Sequence, residues 1–412
     1  MITRVLHISH RYNGDFVRCV LLAAILLGTV ACQNDGNDPQ SEEPHALVDA
    51  TLVYTLSATQ IQAIAKLSGL DINVSEFVGD VDIYKVKYNT EYKGVNLVAS
   101  GLISLPKSGA AAPVISYQHA TITRDADAPS NFSVSKPETL VAGAFSSSGF
   151  VTVIPDYVGY GSTSSTFHPF FVEDALAASV IDMLHAAIEL AEEKNVTLDK
   201  KLFLAGYSEG GYVTMATHKA IEADGVGYLE LTASFPGAGA YDLQDIQERL
   251  FAMNTYEYPF YLGYITLAYQ HTYGFNTVLT DFFQEPYASR MPGLFDNLKG
   301  FGEINSQLTT DVGALIQPEL RTGLLTDTRY KYLADAFKQN SLTDWKPTKR
   351  MFMYHGTSDT TVPFENSKHT YDVLIGNGTS TDIVSLTPLP GDHLSAVTPY
   401  VADLLIKISA LK

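Results

Sequence analysis

The apolar run Lys201-Leu-Phe-Leu-Ala205 leads directly into Gly206-Tyr207-Ser208-Glu209-Gly210, and Gly211 to Ile221 follows with the spacing of a helix. A strand, a sharp turn and a helix in immediate succession constrain the fold more than any other stretch of the chain. Small residues at Gly206 and Gly210 let the backbone fold tightly without Cβ clashes. The residue at the apex of such a turn is lifted clear of the sheet, and here it is Ser208. An ordinary turn serine is the bland alternative, and the strand-turn-helix context favours a nucleophile over it.

A serine hydroxyl attacks poorly at neutral pH unless a base takes its proton and an acid orients that base. In this context the partners follow in the order serine, acid, histidine. Lys349 to Tyr354 reads as a strand and ends in His355-Gly-Thr-Ser-Asp359-Thr-Thr-Val-Pro363. Ile383 to Leu389 reads as another and ends in Pro390-Gly-Asp392-His393-Leu394. Both put a titratable side chain on a loop just past a strand end, where open α/β sheets bind ligands. Asp359 is the candidate acid, although Ser-Asp-Thr is also good turn chemistry. His393 is the candidate general base. Asp392 adjoins the histidine, and since neighbours rarely point the same way it reads as a loop or capping residue.

Around these segments the pattern alternates. Ser57-Ala-Thr-Gln60 has the form of a capping box ahead of a helix to about Ser68. Val81 to Val86 and Val95 to Leu105 read as strands joined through Tyr92-Lys93-Gly94, forming an antiparallel edge. Core strands follow at Pro113–Tyr117, Val151–Pro155, Lys201–Ala205 and Leu229–Phe235, with a helix at Phe171–Lys194. The expected class is α/β, a mostly parallel sheet covered on both faces.

Four segments resemble the α/β-hydrolase superfamily, and within it the secretory lipase/esterase group. They are Ser116-Tyr-Gln-His119; Ile154-Pro-Asp156-Tyr-Val-Gly-Tyr-Gly161 with His168-Pro169; Gly206-Tyr-Ser-Glu-Gly-Gly211; and His355-Gly-x-x-Asp359-x-x-Val-Pro363. The resemblance runs from about Val95 to the end of the chain. It implies the α/β-hydrolase fold, a Ser208/Asp359/His393 triad and carboxylic-ester hydrolysis. An oxyanion hole is expected from the amide of Glu209 together with that of Ala120 or Thr121. Two positions depart from the pattern: His119-Ala120 stands where His-Gly is usual, and Glu209 where Gln is frequent. From Tyr241 to Trp345 the alternation stops and aromatic residues crowd together. The resemblance implies that this insertion is a cap or lid over the site, with the core at 47–240 and 346–412.

Other polar residues read as structural. His119 suits packing around the oxyanion loop, Asp156 suits ordering of the Gly-rich turn after it, and His168-Pro169 suits entry to the long helix. No His/Cys/Asp spacing suggests a metal, and no cofactor is expected. A net charge of −18, from 27 basic and 45 acidic residues, argues against a nucleic-acid partner.

The N-terminus reads as a targeting signal over 1–31, with Arg4, Arg11 and Arg18 before the apolar run Val20–Val30. Thr29-Val-Ala-Cys32 resembles a bacterial lipobox, so Cys32 is expected to carry a lipid anchor to the cell-envelope membrane. The acidic stretch after it, within 32–46, reads as a disordered tether resembling those of Bacteroidota surface lipoproteins. Cys19, the only other cysteine, falls in the removed part, so the mature domain has no disulfide. The expected partner is a small-molecule or lipid ester. Competing readings are an acetyl or feruloyl esterase acting on polysaccharide, an exo-peptidase of the same fold, and a non-enzymatic binding module. The last is disfavoured by the intact serine, acid and histidine.

Overall fold

The computed structural model describes residues 45–67, 76–134 and 136–412. The expected signal segment and Cys32 lie outside the described residues, as does all of the tether except its last two positions.

The strands are β1 (Leu47–Leu56), β2 (Val81–Tyr92), β3 (Val95–Pro106), β4 (Ala112–Gln118), β5 (Val151–Pro155), β6 (Leu198–Tyr207), β7 (Glu230–Gly237), β8 (Arg350–Gly356) and β9 (Val384–Leu389). The helices are α1 (Ala58–Leu67), α2 (Pro137–Ser147), α3 (Glu173–Glu193), α4 (Glu209–Asp224), α5 (Leu243–Ala252), α6 (Phe260–Tyr273), α7 (Tyr287–Arg290), α8 (Phe301–Asn305), α9 (Val312–Leu315), α10 (Pro318–Gly323), α11 (Lys331–Gln339), α12 (Phe364–Gly376) and α13 (Val397–Leu411). The strands form a single sheet in the order β1-β2-β3-β5-β4-β6-β7-β8-β9. Pairing is antiparallel from β1 through β3 to β5 and parallel from β5 to β9.

The connection from β4 runs to one neighbour, β5, and the next connection crosses back to the other neighbour, β6. The loops leaving β4 and β6 therefore diverge at a switch point, where such sheets hold their ligands. Gln118 of β4 pairs with Gly206 of β6, so the two chains leave the sheet side by side.

Along β6, Leu202 and Leu204 face the core under α3 and α4, while Phe203 and Ala205 face the core under α2 and α13. Burial on both faces explains why this strand reads as a continuous apolar run. The capping box forms as expected: Gln60 N donates to Ser57 Oγ at 3.3 Å, and Ser57 N donates to Gln60 Oε1 at 2.9 Å.

Two expectations need correction. The β2–β3 hairpin is not the edge of the sheet, because β1 pairs outside β2, with Leu52 against Tyr84 and Leu56 against Val81. His168-Pro169 does not open the long helix, since α3 begins at Glu173 and His168 turns elsewhere.

The stretch 241–345 is helical, running from α5 to α11. Its Phe251, Tyr256, Phe260, Tyr264, Tyr269, Phe282 and Phe283 are buried and continuous with the core under α3 and α4. Phe170 stacks on Tyr264 with centroids 4.6 Å apart, and the Tyr269 hydroxyl donates to the Phe171 carbonyl at 3.1 Å. Rings thus join the insertion to the loop ahead of α3.

Candidate active site

Ser208 sits between β6 and α4 with φ 59° and ψ −122°, a conformation that costs a non-glycine residue about 1–3 kcal/mol. Close approach on both sides holds it there. A Cβ on Gly206 would lie 2.3 Å from the Gly210 carbonyl oxygen, and one on Gly210 would lie 2.0 Å from that of Gln118. Only glycine fits at either position. The Ser208 amide donates to the Gly237 carbonyl at 2.8 Å, which fixes the turn against β7.

His393, from the loop after β9, places Nε2 2.9 Å from Ser208 Oγ. Its Nδ1 lies 2.6 Å from Asp359 Oδ2, on the loop after β8. The other carboxylate oxygen of Asp359 accepts from the amides of Thr361 at 2.9 Å and Val362 at 3.0 Å. Burial pushes the Asp359 carboxyl up, but hydrogen bonds from His355 and His393 outweigh it and bring it down to about 2. An ionised Asp359 can only accept, so Nδ1 of His393 carries the proton. That leaves Nε2 free to take the hydrogen of the Ser208 hydroxyl. All three side chains are buried.

A second histidine meets Asp359. His355, at the end of β8, points Nε2 at Asp359 Oδ2, 3.2 Å away, and at the Val362 carbonyl, 2.8 Å away. Its Nδ1 meets Ser367 Oγ at 2.6 Å. Tyr207 holds the loop of His393, its hydroxyl donating to the His393 carbonyl at 2.9 Å. Asp392 turns away and caps its own loop, accepting from the amides of Leu394 and Ser395 at 3.2 and 2.9 Å.

Among the described residues, the amides of Glu209, Ala120 and Thr121 donate to no protein group. Glu209 opens α4, where first-turn amides have no partner within the helix. The loop carrying Ala120 is held by the one that follows β5. His119 stacks on Tyr157 at 4.2 Å, and the Tyr157 hydroxyl donates to the His119 carbonyl at 3.1 Å. Asp156 orders its surroundings, accepting from Ser130 N at 2.7 Å and Ser100 Oγ at 2.6 Å.

Sequence reasoning missed the partner of the Glu209 side chain. It is buried against His168, with Nε2 2.7 Å from Oε1. The two residues are 41 apart in the chain and no local spacing links them. The available signal was the acidic residue itself, standing in a motif that folds against the sheet.

A pocket opens beside Ser208, walled by Phe170, Phe171, Ala240 and Val362 of the core and by Leu243, Ile246, Gln247, Leu250, Tyr256, Tyr261 and Ile265 of the insertion. It is narrow, with about 420 Å³ of space between atoms when its solvent-facing part is included. Burial pushes the phenol of Tyr261, in the wall of this pocket, up from its ordinary value. Among the described residues no group of three or more His, Cys, Asp or Glu could hold a metal ion. No helix among them is long and apolar enough to cross a membrane.

A family profile described as secretory lipase matches residues 126–398. No curated protein matches the chain. Among solved structures, a candidate hydrolase from Legionella pneumophila superposes with a TM-score of 0.79 at 26% identity, over 89% of this chain and 98% of that one. The rice cell wall degrading esterase LipA from Xanthomonas oryzae, in a ligand-bound form, gives 0.75 at 22% identity, over 89% and 96%. Lipase A of Candida antarctica in its closed state gives 0.63 at 15% identity, over 85% and 78%. At those identities the last two share the fold.

Proposed function

The chain belongs to the secretory lipase family and is a carboxylic ester hydrolase; from that premise we propose that Ser208, His393 and Asp359 carry the reaction through an acyl-enzyme. The observation behind this reading is the unbroken chain of contacts from Ser208 Oγ through the His393 ring to Asp359. His393 Nε2 takes the hydroxyl proton as Oγ attacks the ester carbonyl, and Asp359 stabilises the imidazolium that forms. The tetrahedral oxyanion is met by the amides of Glu209 and of Ala120 or Thr121. When the carbon–oxygen bond of the leaving alcohol breaks, His393 returns its proton to that oxygen. Water then attacks the acyl-enzyme by the same route, with His393 again as base, and releases the acid and Ser208. No step calls for a cofactor.

Removing one oxyanion donor in such enzymes costs about 10²–10³ in kcat. Backbone amides cannot be deleted by substitution, so the test of the nucleophile is Ser208→Ala, which should abolish hydrolysis of p-nitrophenyl acetate and butyrate while leaving the fold intact. Retained hydrolysis would move the nucleophile elsewhere.

We further propose that residues 1–31 are an export signal, that Cys32 is lipidated and that 32–46 tether the enzyme to the envelope membrane. The core is then 47–240 with 346–412, and 241–345 forms the cap. The sequence Thr29-Val-Ala-Cys32 and the family's secretory character support this reading. Metabolic palmitate labelling should mark the wild type and not Cys32→Ala; equal detergent partitioning of the two would favour a plain secretory signal.

A further inference from the structure

We infer that the pocket beside Ser208 is a recognition subsite for an acyl group carrying an uncharged, hydrogen-bonding oxygen away from its ester end. This rests on Ser208 being the nucleophile. On α5 the residues Leu243, Ile246, Gln247 and Leu250 share the buried face, at the spacing of an apolar stripe. Gln247 is out of character there, and it is only 4% exposed. Its amide makes no hydrogen bond with any described residue, yet it lines the pocket that contains Ser208. The amide is not sealed within protein but reaches the space of the pocket, so a group bound there can be its partner.

A second polar atom has the same character. The Thr361 hydroxyl is also in the wall, on a buried residue, and no described residue bonds to it. An amide and a hydroxyl can each donate and accept, so together they suit a hydroxyl or oxo group. No Lys, Arg, His, Asp or Glu lines the pocket, which excludes a charged group there. The other walls are apolar and aromatic, so the body of the ligand is a hydrocarbon chain or ring.

The acyl portion is the one that fits. It becomes bonded to Ser208 in the first half-reaction, as the alcohol leaves, and is held until water releases it in the second. A narrow pocket roofed by α5 and α6 suits the part that stays. The class is therefore hydroxy- or oxo-acyl esters of modest size, aliphatic or aryl, and not plain fatty acyl esters.

The test compares kcat/KM for matched pairs of methyl esters: hydroxyhexanoate against hexanoate, and hydroxyphenylpropionate against phenylpropionate. The wild type should favour the oxygenated member of at least one pair by about tenfold, the scale of one buried hydrogen bond. Gln247→Leu should bring that ratio close to one, and Gln247→Met should do the same if the leucine variant does not fold. Because the readout is a ratio, the fraction of folded enzyme cancels. A wild type that prefers the plain member of both pairs would overturn the inference, as would a ratio untouched by either substitution. Failure to hydrolyse any of the four by an enzyme that still reacts with a fluorophosphonate would overturn the inference and leave Ser208 as nucleophile. Failure of both would overturn the two together.

Discussion

Nε2 of His168 lies 2.7 Å from Oε1 of Glu209, one residue past Ser208, with both side chains buried. The other ring nitrogen of His168 faces the Val158 carbonyl at 2.7 Å. A carbonyl can only accept, so Nδ1 carries a hydrogen. The Nε2–Oε1 contact then needs one further proton, on the ring or on the carboxyl. The pair is neutral as a unit, so no bare carboxylate stands beside the amide of Glu209.

Removing the ring alone should therefore be costly. His168→Leu is expected to destabilise the fold by about 3–5 kcal/mol, since it leaves a buried carboxylate unpaired. Adding Glu209→Gln should recover much of that loss, because the amide needs no counter-charge. Urea unfolding of the two single variants and the double variant measures the coupling. Strictly additive losses would mean that the contact carries no such role.

Asp359→Asn should lower kcat by about three to four orders of magnitude, because an amide can no longer hold His393 in the tautomer that accepts from Ser208. Asp392→Asn should change kcat far less, since that side chain bonds its own loop at Leu394 and Ser395. The reverse ranking in steady-state kinetics would reassign the acid.

The convergence of Ser208, His393 and Asp359 was legible because each follows a strand that reads clearly, and the chain order is constrained by the fold. The outer strand β1 was not. It pairs on one side only and most of its residues are half-buried or exposed, so Leu47–Leu56 lacks the pattern of a core strand. Gln247 was legible in principle, as the polar member of an apolar stripe on α5, but a helix boundary is needed before the stripe can be seen. The His168–Glu209 contact depends on how the loops after β5 and β6 meet, and no periodicity encodes that.

Stability should depend on pH through Glu222, which lies away from the site. Burial raises its carboxyl, but bonds from His218, the Lys349 amide and Thr348 outweigh it and hold it at about 2, against 4.5 when unperturbed. A carboxyl depressed in the folded state stabilises it fully above the unfolded value, and that contribution is lost as pH falls through the folded one. Thermal melts of the wild type and Glu222→Gln should thus differ most above pH 4.5 and converge as the pH approaches 2. A gap that stayed constant over that range would show that the carboxylate charge is not what holds the start of β8.

Plain acyl chains should be accepted less well as they lengthen, because Leu250 and Gln247 of α5 stand in the wall of a narrow pocket. With p-nitrophenyl acetate, butyrate, octanoate and palmitate, kcat/KM should be highest for the first two and fall from there. A rate that stepped upward as octanoate passed its solubility limit would instead mean that the insertion opens at an interface, exposing its rings at a cost which that interface offsets.

Attack by Ser208 on the substrate is tested most directly by active-site labelling. The enzyme is treated with a fluorophosphonate, residual activity is followed, and the adduct is located by peptide mass mapping. One adduct, on the peptide containing Ser208, should form in proportion to the activity lost, and Ser208→Ala should take up none. Inactivation with the adduct on another residue, or undiminished labelling of Ser208→Ala, would contradict the account.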